Sequence, residues 1–357
     1  MYTQALSSDN YVATENMLQD YQGISTASNV PSNVNAIKFS KGDVLLSNIR
    51  PYLKKVWYAD REGGCSADVL VFKALPTCAS DFLHHILAND RFINFAMSGA
   101  KGVKMPRGDK EQMKTYIIGL PSIEEQKKIA KFLSLLDERI ATQVRIIERL
   151  ETLIRGIMVC LQRRGLKNGS WEKTFLYNVL SERKELNKQL YPVYSVSVSQ
   201  GVVNQIEYLG RSFAAKDTSN YHIVRYGDIV YTKSPTGDFP YGIVKQSYNH
   251  NNVAVSPLYG VYTPKNFSIG VFLHEYFRGK INTHNYLHPL IQKGAKNTIN
   301  ITNQHFLENK VAIPLLDDEI TSISKLLLSL NAKVELMQQT RINYEQQKQY
   351  LLRQMFI

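Results

Sequence analysis

The most sustained pattern of apolar and polar positions in this chain has a period of seven and is written twice. From Ile129, alternating steps of four and three pick out Ile129, Leu133, Leu136, Ile140, Gln143, Ile147, Leu150, Ile154, Ile157 and Leu161, nine of the ten apolar. A stripe kept over successive heptads predicts a helix packed along its length against another helix. The same register recurs 194 positions later, at Ile323, Leu327, Leu330, Val334, Met337, Arg341, Tyr344, Lys348, Leu351 and Met355. There Arg341 and Lys348 weaken the seam.

The start signals repeat as well. Pro121-Ser122 precedes Glu124-Glu125, and Pro314 precedes Asp317-Asp318-Glu319, so acids stand where a helix N-terminus is positive. At about 1.5 Å per residue, some 40 residues make a rod on the order of 60 Å long. A lone helix of that length cannot bury its stripe, so the two are predicted to pair.

Shorter apolar runs precede each helix, and these too are echoed. Gly42-Asp43-Val44-Leu45-Leu46 matches Gly227-Asp228-Ile229-Val230-Tyr231, each a turn entering a strand. Lys101-Gly102-Val103-Lys104 matches Lys293-Gly294-Ala295-Lys296 in the same order. Val69–Phe72 and Val253–Val255 are further strand candidates, while Asp81–Phe95 and Ile269–Phe277 read as helical. The chain is thus an α+β tandem pseudo-repeat. Mixed α/β domains are expected at 1–120 and 165–312 and long helices at 121–164 and 313–357, with a hinge at Arg163–Gly169.

Length and composition agree with this division. At about 150 residues per domain, 357 residues make two globular units, and 44% apolar against 21% charged residues is the balance of a folded chain. No run of about 18 apolar residues occurs, and the N-terminus lacks a basic start and an apolar signal core, so a cytoplasmic protein is expected. Three cysteines without CxxC spacing imply free thiols. The net charge of +12 favours a polyanionic partner. Residues 166–312 hold 16 basic and 9 acidic side chains, whereas residues 1–120 hold 13 and 11. The excess therefore falls mainly on the second α/β segment.

Catalytic signatures are missing where a self-sufficient enzyme needs them. The sequence has no GxSxG, GxxxxGK[ST], GxGxxG, Asn-Pro-Pro or Asp-Pro-Pro. His274-Glu275 opens an HExx pattern, but Arg278 stands where a second histidine ligand is needed. Glu125-Gln126-Lys127 and Glu182-Arg183-Lys184 match ExK without the Pro-Asp that metal-dependent nucleases add, and they read better as solvated helix-start charges. His284 and His288 stand one helical turn apart without a third ligand nearby. Neither a catalytic residue nor a metal site is expected.

What remains are basic loops carrying small polar and aromatic residues. In the first domain the candidates are Asn48, Arg50, Tyr52, Lys54, Lys55, Lys101, Lys104 and Arg107. In the second they are Lys233, Ser234, Thr236, Tyr241, Lys293, Lys296 and Asn297. Lys and Arg neutralise phosphates and can bind guanine O6/N7, while Asn can bind adenine N6/N7. One such loop is weak ground; its recurrence at matching places in both halves strengthens the DNA-binding reading.

These residues carry a resemblance. LPSIEEQKKIAKFLSLLDERI with its weaker copy IPLLDDEI…KLLLSLNAKV, YVATENML at 11–18, YPVYSVSVSQGVV at 191–203 and KDTSNYHIVRYGDIVY at 216–231 make the chain look like a type I restriction–modification specificity subunit. The resemblance implies a DNA-binding protein without catalysis of its own. Two target recognition domains would each read half of a split site, held apart by an antiparallel coiled coil seamed by Ile129, Leu133, Leu136, Ile140 and Ile147 with Ile323, Leu327, Leu330 and Val334. It further implies two DNA methyltransferase subunits docked on the helices and restriction subunits beyond them. S-adenosylmethionine, ATP and Mg²⁺ would reside on those partners. One departure stands out: Tyr11 is reached after ten residues, whereas its counterpart Tyr191 follows Trp171-Glu172-Lys173-Thr174-Phe175-Leu176 and a polar stretch. A self-contained nuclease or methyltransferase, and a scaffold that does not touch DNA, are the competing readings.

Overall fold

The computed structural model describes residues 5–31, 35–293 and 299–356, with the side chains of 292, 293, 299 and 300 outside that description. Contacts divide the chain into one unit of Met1–Val144 with Gln339–Ile357 and another of Arg145–Gln338. Both long helices are present, at Ile123–Asn168 and Asp317–Met355, and each contributes residues to both units. The expected hinge at Arg163–Gly169 is helical up to its last residue. The helix runs through Asn168, and the break falls at Gly169, whose φ of 76° suits glycine.

In the first unit, Val44–Ser47 lies between Val56–Tyr58 and Val69–Phe72 in an antiparallel sheet. Strand alternation sends Val44 and Leu46 into one core with Phe92, Ile93, Ala96 and Met113, and Leu45 into another with Phe39, Trp57 and Val69. Val44, Leu45 and Leu46 can thus all be apolar because both faces of the strand are covered, and the buried Ser47 at its end donates to Ile49 O. The Gly-Asp entry turn forms as expected: Gly42 has φ of 91°, and the Asp43 carboxylate accepts from Ser40 N at 2.8 Å. The helical stretch expected at 81–95 is two helices, Ser80–Leu87 and Asp90–Ser98. They are divided where Asn89 accepts from Arg91 N and caps the second.

The second unit repeats this frame with one strand more. Its sheet runs Ile243–Gln246, Ile229–Thr232, Gly260–Pro264, Leu180–Glu182. Ile229 and Tyr231 face a core with Phe272 and Phe277 of the helix Phe267–Arg278, while Val230 and Val261 face Val202, Val224, Val253 and Val255. Gly227 has φ of 89° and Asp228 accepts from Arg225 N at 2.8 Å, the same turn as in the first unit. A further ladder pairs Trp171–Phe175 with Lys310–Pro314, which leads into the second long helix.

Within each unit the helix stripes are buried or half-buried, apart from their last position, Met355. In the second, Ile147, Ile154 and Met158 share one core with Ile323, Leu327 and Val334, and Leu330 packs against it. Arg278 fastens this pair to the α/β domain, reaching Glu151 at 3.2 Å and Asn331 at 2.9 Å. In the first unit Leu133 is fully buried and Leu136 is buried, while Ile129 and Ile140 are half-buried. The weak end of the second stripe is met by polar partners: Lys348 pairs with Asp137, and Arg139 donates to the Tyr344 hydroxyl at 3.5 Å. Met355 does not continue the seam; it is exposed, and Leu352 is the fully buried side chain of that last turn.

Candidate nucleic-acid interface

In the first unit the two basic loops, some fifty residues apart in sequence, are stitched into one body. Ile49 bridges Arg107, Arg50 N donates to Pro106 O at 2.7 Å, and the Arg50 guanidinium donates to Lys104 O at 3.3 Å. Lys101 and Arg107 close the second loop by exchanging two main-chain bonds of 2.9 Å. Arg50 and Lys54 adopt left-handed backbone (φ 51° and 55°) on either side of the short helix Pro51–Leu53. Side chains rarely hold that conformation unless the surroundings fix it.

The candidates then divide by accessibility. Lys104 is exposed without a partner among the described residues, between the exposed apolar side chains Val103 and Met105, and Tyr52 is also exposed. Lys101 and Arg107 are exposed but reach Asp109 at 3.1 Å and Asp68 at 3.0 Å, exposed pairs that a phosphate can displace cheaply. Asn48 is 7% exposed, its main chain binding Asp68 and Gly108, so it shapes the loop and does not face a ligand. Lys54 pairs with Asp90 at 2.8 Å, and Lys55 donates to Thr14 O at 2.7 Å. Both serve the domain's own closure.

In the second unit Ser234 and Thr236 lie exposed on a loop closed by the Thr236–Phe239 bridge. Lys233 at its base is half-buried, and burial holds its ammonium below the ordinary lysine value. Tyr241 lies tilted against the stacked rings of His284 and His288, with ring centroids 5.1 and 5.9 Å away, and its carbonyl accepts from the Tyr231 hydroxyl. The histidine pair is thus part of an aromatic cluster; among the described residues no group of three or more His, Cys, Asp or Glu is placed to hold a metal. Lys296 and Asn297 lie outside the described residues, as does the side chain of Lys293. The ExK motifs are structural: Gln126 is buried and bonded to Ala79 N and Thr77 O, and Arg183 forks onto Asp228 at 2.7 and 3.0 Å.

A further surface of the second unit escaped the sequence reading. Tyr208 and Phe213 are exposed, with the Arg211 guanidinium 4.5 Å from the Phe213 ring centre. The segment has no match in the first unit, so a search for echoed loops passes over it. Exposed aromatics beside arginine form a stacking surface.

Comparison with known proteins places this architecture. Residues 7–152 match the family model described as "Type I restriction modification DNA specificity domain". The chain resembles the specificity subunits of type I restriction–modification systems, in its first part by sequence and over nearly its whole length by fold. It is 30% identical over 158 residues to the type I restriction enzyme MjaVIII specificity subunit of Methanocaldococcus jannaschii. That match spans 38% of this chain and 37% of the relative, so just over a third of the relative's length is covered. The crystal structure of the S subunit of a type I restriction–modification system from M. genitalium superposes with a TM-score of 0.57 at 14% identity, covering 98% of this chain and 88% of that one. A structure reported for complex assembly and conformational transition of the type I R-M system gives 0.54 at 15% identity, over 97% and 90%. At these identities the structural likeness speaks for the fold alone.

Proposed function

We propose that this chain is the DNA-reading subunit of a type I restriction–modification complex and catalyses no reaction itself. Each α/β domain reads one half of a bipartite DNA target, through Arg50, Tyr52, Lys104 and Arg107 in the first and the Lys233–Tyr241 loop with Lys293, Lys296 and Asn297 in the second. The observation that carries this reading is the fusion of loops 48–55 and 101–107 into a single basic body on a domain of the specificity type. Lys104 and Arg107 would bind phosphates, and Val103 and Met105 would meet apolar base edges such as a thymine methyl.

The two long helices would run antiparallel as one coiled coil, setting the spacing between the domains and docking two methyltransferase subunits. Restriction subunits join through these, and S-adenosylmethionine, ATP and Mg²⁺ are bound by the partners. Two domains on one rod add their binding free energies, which one small domain cannot match. The complex works where the DNA is, in the cytoplasm; no described helix is long and apolar enough to cross a membrane.

Footprinting of the chain with its methyltransferase partner tests this. Two protected segments separated by an unprotected spacer are expected. One continuous, sequence-indifferent footprint, or turnover of DNA by the pure chain with Mg²⁺ or S-adenosylmethionine, would refute it.

A further inference from the structure

In the second unit the helix Lys280–Leu287 runs directly into the short helix His288–Leu290. Lys280, His284 and His288 follow one another at intervals of four, so they share one face, and all three are exposed. The loop 233–241 is fastened to that face twice. Lys280 reaches Asp238 at 3.3 Å, and the Tyr241 ring lies 5.1 Å from the His284 ring and 5.9 Å from that of His288. One residue beyond Leu290 the chain enters Gln292–Lys293, where the other basic stretch of this unit begins. The histidine face therefore adjoins both segments of the second domain that are read as DNA contacts.

The rings of His284 and His288 are stacked, with centres 5.2 Å apart at 17°. Neither imidazole has a hydrogen bond or an ion pair among the described residues. The adjoining segment 292–300 contains no acidic residue that could supply one. Of the charged and titratable groups that face the pair, Lys280 is held by Asp238 and Tyr241 presents its ring. No imidazole nitrogen is claimed by either. Imidazole is the side chain that exchanges its proton close to neutral pH, and a phosphate alongside favours the protonated form. Two imidazolium ions stacked this closely would repel each other, so the pair takes up one proton and not two.

We propose that His284 and His288 form a proton-linked phosphate contact of the second domain, taking up one proton as the DNA backbone seats against the face they share with Lys280. The inference rests on the proposed DNA-reading function and adds to it a dependence on pH that only one domain carries. The basic loops of the first domain contain no histidine. Because the protonated form binds, DNA affinity rises as pH falls through the imidazole range and levels off on either side of it.

The test is binding of duplex DNA by the full chain with the proposed methyltransferase partner, measured in EDTA at several salt concentrations from pH 8 to pH 6. Affinity should rise about fivefold over that range, as one imidazole gains about one pKa unit on binding. The slope of log K against log salt should steepen by up to about 1 at pH 6. In a chain carrying His284→Gln and His288→Gln both changes should vanish, with affinity and melting temperature at pH 8 unaltered because both side chains are exposed. His284→Lys with His288→Gln, which fixes the charge, should bind at pH 8 as tightly as the unaltered chain binds at pH 6. DNA binding without this pH dependence, a dependence that survives the double substitution in full, or a loss of affinity that is equal at pH 6 and pH 8 overturns the proposal; the last is what a role confined to seating Tyr241 predicts. Absence of salt-dependent DNA binding at either pH removes the DNA-reading function and this inference together.

Discussion

The two compact units share one frame and differ in how it is closed. In the second unit Asp228, at the strand-entry turn, is 2% exposed and is gripped by both arms of Arg183, a residue of the segment that also supplies Trp171 and Leu180–Glu182. In the first unit Asp43 stands at the same turn, is also buried though less completely (7% exposed), and has Lys73 at 4.0 Å, a side chain that is mostly exposed. One short segment thus closes a sheet edge, fills a hydrophobic site and neutralises a buried acid in the second unit.

The largest expected effect breaks that difference directly. Trp171→Ala removes a 3% exposed indole packed on Phe272 and strands Glu319, so it should cost the second unit about 4 kcal/mol while leaving the first unchanged. Calorimetry that resolves two transitions would record this as a fall of the second alone; an equal fall of both would mean that the units do not unfold separately. Arg183→Ala comes next. Removing one partner of a nearly buried pair leaves Asp228 uncompensated, at about 3 kcal/mol. Lys73→Ala, the matching change at an exposed pair, should stay within about 0.5 kcal/mol. Urea titration of the two variants gives the ratio.

Acid should weaken the units unequally. Burial pushes His274 down to about 3, and its Nδ1 accepts from Gln246 N at 2.9 Å, which fixes the neutral ring. Burial likewise holds His84 and His85 near 3, with Lys348 as a lesser cause for both and the charge of His85 as a further one for His84. These are bases depressed on folding, so their stability is complete above the ordinary histidine value and is lost as pH falls from there towards 3. Each adds up to about 1.4 kcal/mol per pH unit across that window. The first unit, with two such rings, should lose stability with the steeper slope between pH 6.5 and 4. Melting curves against pH in which His274→Gln flattens the second transition only would support this reading, and equal slopes in the two units would oppose it.

Much of the frame was legible because period and repetition survive without coordinates. The seven-residue stripes locate both long helices, and the paired Gly-Asp turns locate two strands, since a glycine at φ near 90° followed by a capping aspartate is a local device. What stayed hidden depends on distant partners. Lys54 and Lys55 look free in sequence, but Asp90 and Thr14 claim them. Asn48 looks like a base reader and is enclosed by Gly108 and Asp68. The ladder between Trp171–Phe175 and Lys310–Pro314 joins segments that no motif links, so only the structure shows it.

The smallest expected effects sort the basic residues of the first unit. The Lys104 ammonium has no partner among the described residues, so Lys104→Ala should leave the melting temperature unchanged and lower the slope of log K against log salt for DNA binding by about 1. Lys54→Ala should do the reverse, shifting stability slightly through Asp90 and the Tyr21 hydroxyl that shares it, with the salt slope unmoved. Titrating both variants with DNA at several salt concentrations, in the presence of the proposed methyltransferase partner, separates the two roles. If Lys54→Ala moved the slope as much as Lys104→Ala, the ion pair with Asp90 would have to open on DNA. The recognition surface would then extend from the 101–107 loop across the short helix Pro51–Leu53.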